Sequence, residues 1–152
     1  MLTPDERRKV ESYLAVKYGI TLKGSYLDSD GNLTWDMAEN QAYHHRVTAV
    51  GTDTAGSLSQ PLSATSYEES PVYAALKENG TYHDANPYNP SSASRLLVMG
   101  RENGNPMPDR GFTFWGDDDV ALATYTSPTD SLWHVMKRTW MVKTNVPSKP
   151  DS

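Results

Sequence analysis

The chain has 152 residues, enough for one domain with a real core. Fourteen Lys and Arg against nineteen Asp and Glu give a net charge of −5, with no clustered basic footprint, which argues against a nucleic-acid partner. Cysteine is absent, so disulfides, a thiolate nucleophile and a cysteine-based zinc site are excluded, and no apolar run approaches the length of a membrane span.

The first element is the clearest. Thr3 is a good N-cap, Pro4 falls at the first helical position and Glu6 stands three residues after the cap, so a capped helix is expected over residues 3–19. Val10, Tyr13, Leu14 and Tyr18 form an apolar stripe, Gly19 ends the helix in a left-handed conformation, and Ile20 can fold back onto the last turn.

Beyond the glycine the pattern changes to period two. Ile20-Thr21-Leu22 reads as a short strand, and Tyr26-Leu27 with Leu33-Thr34-Trp35 reads as a hairpin around Asp30-Gly31. Residues 37–45 suit a short helical turn. Further strands are expected over 46–51, 71–76, 95–100, 111–115, 120–125 and the long run 132–142, with polar loops at 77–93 and 101–110. The tail 145–152 reads as a linker or frayed end. These elements predict a mainly β fold, an antiparallel β-sandwich over 20–144 with one N-terminal α-helix, because no second long helical pattern supplies crossovers between parallel strands.

Chemistry-bearing residues are few. Asp28, Asp30, Asn32, Thr34, Asp36 and Glu39 occupy positions 1, 3, 5, 7, 9 and 12 of an EF-hand-like loop, but position 6 is Leu33 where that loop needs glycine. A solvated hairpin turn is therefore the favoured reading, with calcium the sharper one. Asp117 and Asp119, in the run Asp117-Asp118-Asp119, form a second candidate calcium group against the reading of a charged turn between strands. His44, His45, His83 and His134 lack the spacing of a helix- or strand-borne metal site and are expected as surface or half-buried side chains. Tyr82, Tyr88 and Asn86 could stack on and hydrogen-bond a glycan, or pin their loop to the fold. Gly-x-Ser-x-Gly and phosphate-binding glycine motifs are absent, so no catalytic residue is assigned and no enzyme is predicted. Trp35, Trp115, Trp133 and Trp140 are expected in the core.

The helix segment, Leu2 to Leu22 with Glu6-Arg7, Val10-Glu11, Tyr13-Leu14-Ala15 and Lys17-Tyr18-Gly19, resembles one that comes after concanavalin-like, laminin-G-type domains in large exported bacterial surface proteins. The rest of the chain is also similar to the module trailing that helix: Tyr26-Leu-Asp-Ser-Asp-Gly31, Trp35-Asp36, Tyr43 to Asp53, Trp115-Gly-Asp117 and Arg138-Thr-Trp-Met-Val142. The resemblance implies an internal piece of a longer exported polypeptide at the cell surface or outside the cell, consistent with a start that lacks a basic-then-apolar leader. Its implied role is a non-catalytic structural or adhesive module; the alternative is an accessory, glycan-binding domain of a polysaccharide-degrading enzyme. Expected partners are neighbouring domains of the same polypeptide, surface glycans or host proteins, without membrane insertion. Under that reading Val10, Tyr13 and Leu14 belong to a neighbour and are less buried here than their spacing promises.

Overall fold

The computed structural model describes residues 1–64, 98–100, 107–120, 124–126 and 134–146. It opens with helix α1 (Pro4–Tyr18), whose capping box is complete: Glu6 N–H donates to Thr3 Oγ1 at 3.2 Å and Thr3 N–H to Glu6 Oε2 at 2.7 Å. Gly19, at φ 65°, ends it, and Ile20 N–H closes on Ala15 O at 2.9 Å. The Ile20 side chain does not fold back on the helix; it is exposed.

Strands follow as β1 (Tyr26–Leu27), β2 (Leu33–Trp35), β3 (His45–Asp53), β4 (Leu58–Gln60), β5 (Leu62–Ala64), β6 (Val98–Gly100), β7 (Gly111–Asp117), β8 (Thr124–Thr126), β9 (His134–Met136) and β10 (Trp140–Thr144), with a 3-10 turn at Gln41–Tyr43. Every described pairing is antiparallel, so the described residues are mainly β with one N-terminal α-helix, as expected. The principal sheet has the order β10-β7-β3-β4, and β1-β2, β5-β6 and β8-β9 are two-stranded ribbons.

The alternation along β3 and β7 sorts the core into two faces. Val47, Ala49, Phe112 and Phe114 point toward α1 and the β1-β2 ribbon, where Ala15, Val16, Tyr26, Trp35 and Leu58 complete one cluster. The Tyr26 ring meets Phe114 edge-on, at 5.1 Å between centroids. Thr48 and Trp115, paired across β3 and β7, face the other way, and Thr48 Oγ1 hydrogen-bonds Ser63 Oγ of β5 at 2.8 Å. Both faces of the central strands are thus covered, which explains why Thr48 and Val50 are as inaccessible as their apolar neighbours. Gly116 allows a close backbone approach: a Cβ there would stand 2.2 Å from Tyr43 O.

Several boundaries differ from the sequence reading for identifiable reasons. Ile20–Leu22 is not a strand: the Tyr26 hydroxyl donates to Ile20 O and accepts from Leu22 N–H, each at 3.0 Å, and burial pushes that phenol's pKa well above its ordinary value. The long run 132–142 is not one strand within its described part, because the chain bends at Lys137 and turns Arg138 inward between β9 and β10. The expected strand at 120–125 is described only as β8, which begins at Thr124. The short strands β4 and β5 escaped the pattern, being only three residues each. Asn145 belongs with the sheet rather than with the tail: its Oδ1 accepts from Phe112 N–H at 2.7 Å and its Nδ2 donates to Arg110 O at 2.9 Å. The expected strand 71–76, the loop 77–93 and Trp133 lie outside the described residues.

A buried hydroxyl ties helix α1 to the β1-β2 ribbon. Ser12, fully buried, donates to Arg8 O at 2.8 Å and accepts from Leu27 N–H of β1 at 3.0 Å. Ser12→Ala strands that amide, and the expected loss of unfolding free energy is about 1–2 kcal/mol after the small gain in helix propensity. A urea titration of the variant beside the parent measures it.

Candidate functional site

Helix α1 is apolar on two opposite sides. At 100° per residue, Ser12, Ala15, Val16 and Gly19 fall on one side and are buried, while Val10 and Leu14 fall on the other and remain 45% and 40% exposed. The expectation that this stripe is less buried than its spacing promises therefore holds for Val10 and Leu14, and Tyr13 at the flank is half-buried. Beside the stripe a cavity of about 410 Å³ runs between α1 and the sheet, its floor made by Val16, Leu58 and Phe112. Asp53, at the end of β3, lines it together with Ser29 and Gly56 from adjoining turns.

A charged cluster occupies the other end of the sheet. The register of β3 against β7 slips between His45 and Thr48, and Arg46 sits in the slip at φ 48°, the conformation of a β-bulge. The bulge aims its guanidinium at Asp117, which accepts from Arg46 Nε at 2.7 Å and from Arg46 Nη2. Arg138, its side chain 2% exposed, donates through Nε to Val120 O at 2.7 Å and stands 3.8 Å from Asp117. Asp119 accepts a second bond from Arg46 Nη2 at 2.7 Å, and that hydrogen bond holds its carboxyl below the usual Asp range against a smaller opposing effect of burial.

His44 is half-buried, within the expectation, and both its ring nitrogens are engaged. Trp35 Nε1 donates to its Nδ1 at 2.9 Å, which leaves Nε2 to carry the proton to Leu22 O at 2.8 Å. The adjacent His45 faces Asp119 at 3.8 Å.

The candidate calcium residues are engaged with protein partners, in pairs at most, rather than gathered around one point. Asp28 turns its carboxylate onto Asn32, accepting from the backbone N–H at 2.8 Å and the side-chain amide at 3.0 Å, and so closes its own turn. Asp30 pairs with Arg110, Asp36 accepts from Ala38 N–H and Ser25 Oγ, and Glu39 binds Lys143 at 2.7 Å. Asp117 and Asp119 meet through Arg46, a cation already in place. Among the described residues no group of three or more His, Asp or Glu side chains is arranged to hold a metal ion. Tyr82, Tyr88 and Asn86 lie outside the described residues. Sequence reasoning missed Asp53, Ser12 and the Arg46–Asp117–Arg138 contact; the Trp-Gly-Asp and Arg-x-Trp motifs were visible, but nothing in their spacing says that they meet.

Fold and site together define a mainly β domain with an N-terminal helix that is apolar on both sides. The chain belongs to the family described as Domain of unknown function (DUF8202), which matches residues 6–150. Comparison with curated proteins and with solved structures finds no match. No helix among the described residues is long and apolar enough to cross a membrane.

Two expectations arise from the charged cluster. Asp117→Asn leaves two guanidiniums facing a neutral group in a buried setting, which costs about 3–5 kcal/mol, whereas Asp30→Asn in the exposed pair with Arg110 costs about 1 kcal/mol or less; denaturant unfolding of the two variants separates them. Asp119 has a depressed folded-state pKa, so its contribution is present above the ordinary value of 3.8 and is lost as pH falls through the lower folded-state value. Melting temperatures recorded between about pH 5 and pH 2 are expected to fall less steeply in Asp119→Asn than in the parent.

Proposed function

We propose that this chain is a non-catalytic module of a longer exported bacterial surface protein, structural or adhesive in role, whose helix is sandwiched between its own sheet and an adjoining domain. The observation that carries this reading is the opposed pair of apolar faces on α1. A helix at the surface of a self-sufficient domain needs one apolar stripe, and the side opposite it is ordinarily polar. Here the inner side is Ser12, Ala15, Val16 and Gly19, mostly small residues that permit close approach to the sheet, while Val10, Leu14, Tyr18 and Ile20 are left outside. Exposed apolar residues that line up beside a cavity mark an interaction surface rather than random scatter.

The resemblance of the helix segment to one that comes after laminin-G-type domains supports a covalently linked neighbour as the covering layer. Adhesion or spacing is the role such a module serves, with the helix as the rigid element that sets the angle between neighbours. Localisation outside the cell belongs to the same reading.

Hydroxyl-radical footprinting tests it. Leu14 and Tyr18 are measured in this chain alone and in the longer polypeptide encoded by its gene, and both are expected to be protected severalfold in the longer one. Equal reactivity in the two would end the proposal. Val10→Glu with Leu14→Glu is expected to change the stability of the isolated chain by no more than about 0.5 kcal/mol per site, as for ordinary surface positions, while removing that protection.

A further inference from the structure

The cavity beside α1 has an unusual floor. Val10, Tyr13 and Leu14 of the helix and Leu58 and Phe112 of the sheet give it an apolar lining, yet Asp53, only 4% exposed, lines it as well. That carboxylate is held entirely by neutral donors. Ser29 N–H reaches Oδ2 at 2.8 Å, Ser29 Oγ–H reaches Oδ1 at 2.7 Å, and Gly56 N–H approaches Oδ1 at 3.3 Å. Among the described residues no Lys, Arg or His nitrogen stands within the 4.0 Å of an ion pair with it. Lys9 also lines the cavity, but its ammonium lies over Gly31. Of the other buried carboxylates, Asp117 is met by two arginines, and Asp28 is satisfied by the backbone and side-chain amides of Asn32 within its own turn.

A buried carboxylate without a cation is costly, and its hydrogen bonds from Ser29 and Gly56 satisfy three of roughly four acceptor positions. The open position is on Oδ2. A ligand that fills this space therefore needs an apolar body for the walls and a positively charged donor for its end. The cavity opens beside the exposed Val10 and Leu14, so an occupant carried by a polypeptide covers that stripe as well as filling the cavity, whereas a small free amine leaves the stripe exposed.

We infer that the cavity is a socket for the side chain of a lysine or arginine carried by the polypeptide docked on α1, with the aliphatic stem along Val10, Leu14 and Phe112 and the cationic head on Asp53. The inference rests on the docked-neighbour reading and names what the neighbour inserts. An aliphatic stem buried along apolar surface with its charge at the far end is the ordinary behaviour of these two side chains. Pairing inside a partly dry cavity makes the charge count for more than it does on an open surface.

The test needs no knowledge of the neighbour. Doubly blocked tripeptides Ala-Lys-Ala and Ala-norleucine-Ala share a stem and differ in charge; n-hexylammonium and n-hexanol repeat the contrast without a peptide. Binding is followed by the amide NMR signals of Ser29 and Gly56, the two donors to Asp53. The lysine peptide and n-hexylammonium are expected to saturate these shifts with affinities about tenfold better than their neutral counterparts, the gain of one charge-assisted hydrogen bond. Leu14→Trp, which obstructs the mouth at an exposed position, is expected to weaken both cations about tenfold while leaving the fold intact. Asp53→Asn is expected to abolish the preference for charge; if it fails to fold, the comparison of charged with neutral probes on the parent chain still decides. Equal binding of the lysine and norleucine peptides, or no saturable shift with either, overturns the socket. Binding of n-hexylammonium without binding of the lysine peptide overturns the assignment to a polypeptide side chain. Footprinting of the longer polypeptide stands or falls separately, so loss of the socket is distinguishable from loss of the docked neighbour.

Discussion

Asp117 lies where three parts of the chain have to agree. It is the last residue of β7, it pairs in register with His45 of β3 and with Trp140 of β10, and its side chain is 1% exposed. A carboxylate in that position is tolerable only with cations and donors around it. Arg46 supplies the first through a backbone bulge that a regular strand would not make, and Arg138 supplies the second by turning inward just before β10 starts. The bulge, the break between β9 and β10 and the end of β7 are therefore one constraint expressed in three places. Moving any of them by a residue would leave a buried charge unpaired, and that penalty helps fix the register of the β10-β7-β3 ladder.

At the opposite end of the same sheet polar groups again hold turns together, but with a different balance. Asp53 ties the β1-β2 turn to the β3-β4 turn through Ser29 and Gly56, and Asp109 accepts from Thr54 N–H at 2.7 Å to fasten the start of β7 beside them. Arg110 answers Asp30 and Asp109, both exposed, and leaves Asp53 to neutral donors. One end of the sheet is thus electrically closed around Asp117, and the other keeps a buried carboxylate facing a cavity. The helix that borders this cavity is attached by Ser12, Ala15 and Val16, with Tyr13 at the flank, while Val10, Leu14 and Tyr18 stay exposed. Fold and proposed role meet in that arrangement: the domain gives up its best apolar helix face, and what covers it completes the structure.

Local signals were readable where local physics decides. Thr3, Pro4, Glu6 and Gly19 define the helix because cap, ring constraint and left-handed stop act within a few residues of one another. Asp30-Gly31 placed the first hairpin, with Gly31 at φ 95° as such a turn requires. The stripe of Val10, Tyr13, Leu14 and Tyr18 is legible as spacing, but the sheet takes the side of Ser12, Ala15 and Val16, which spacing could not reveal. Ser12, Ala15 and Gly19 do not stand out in a hydrophobic pattern, yet their small size is what lets the sheet approach them closely.

By itself the sequence determined a capped N-terminal helix, a mainly β antiparallel body and the lack of any cysteine or nucleotide-binding motif, since each comes from neighbouring residues and composition. Tertiary structure alone decided that Asp28 closes its own turn, that His44 is locked between Trp35 and Leu22, that Arg46 and Arg138 meet on Asp117, and that Asp53 lines a cavity with no cation of the described residues in ion-pair range. The reason is common to all four. A polar side chain's role depends on which partner it finds once burial removes water, and partners such as Arg46 and Asp117, 71 residues apart, are chosen by strand register and not by spacing along the chain.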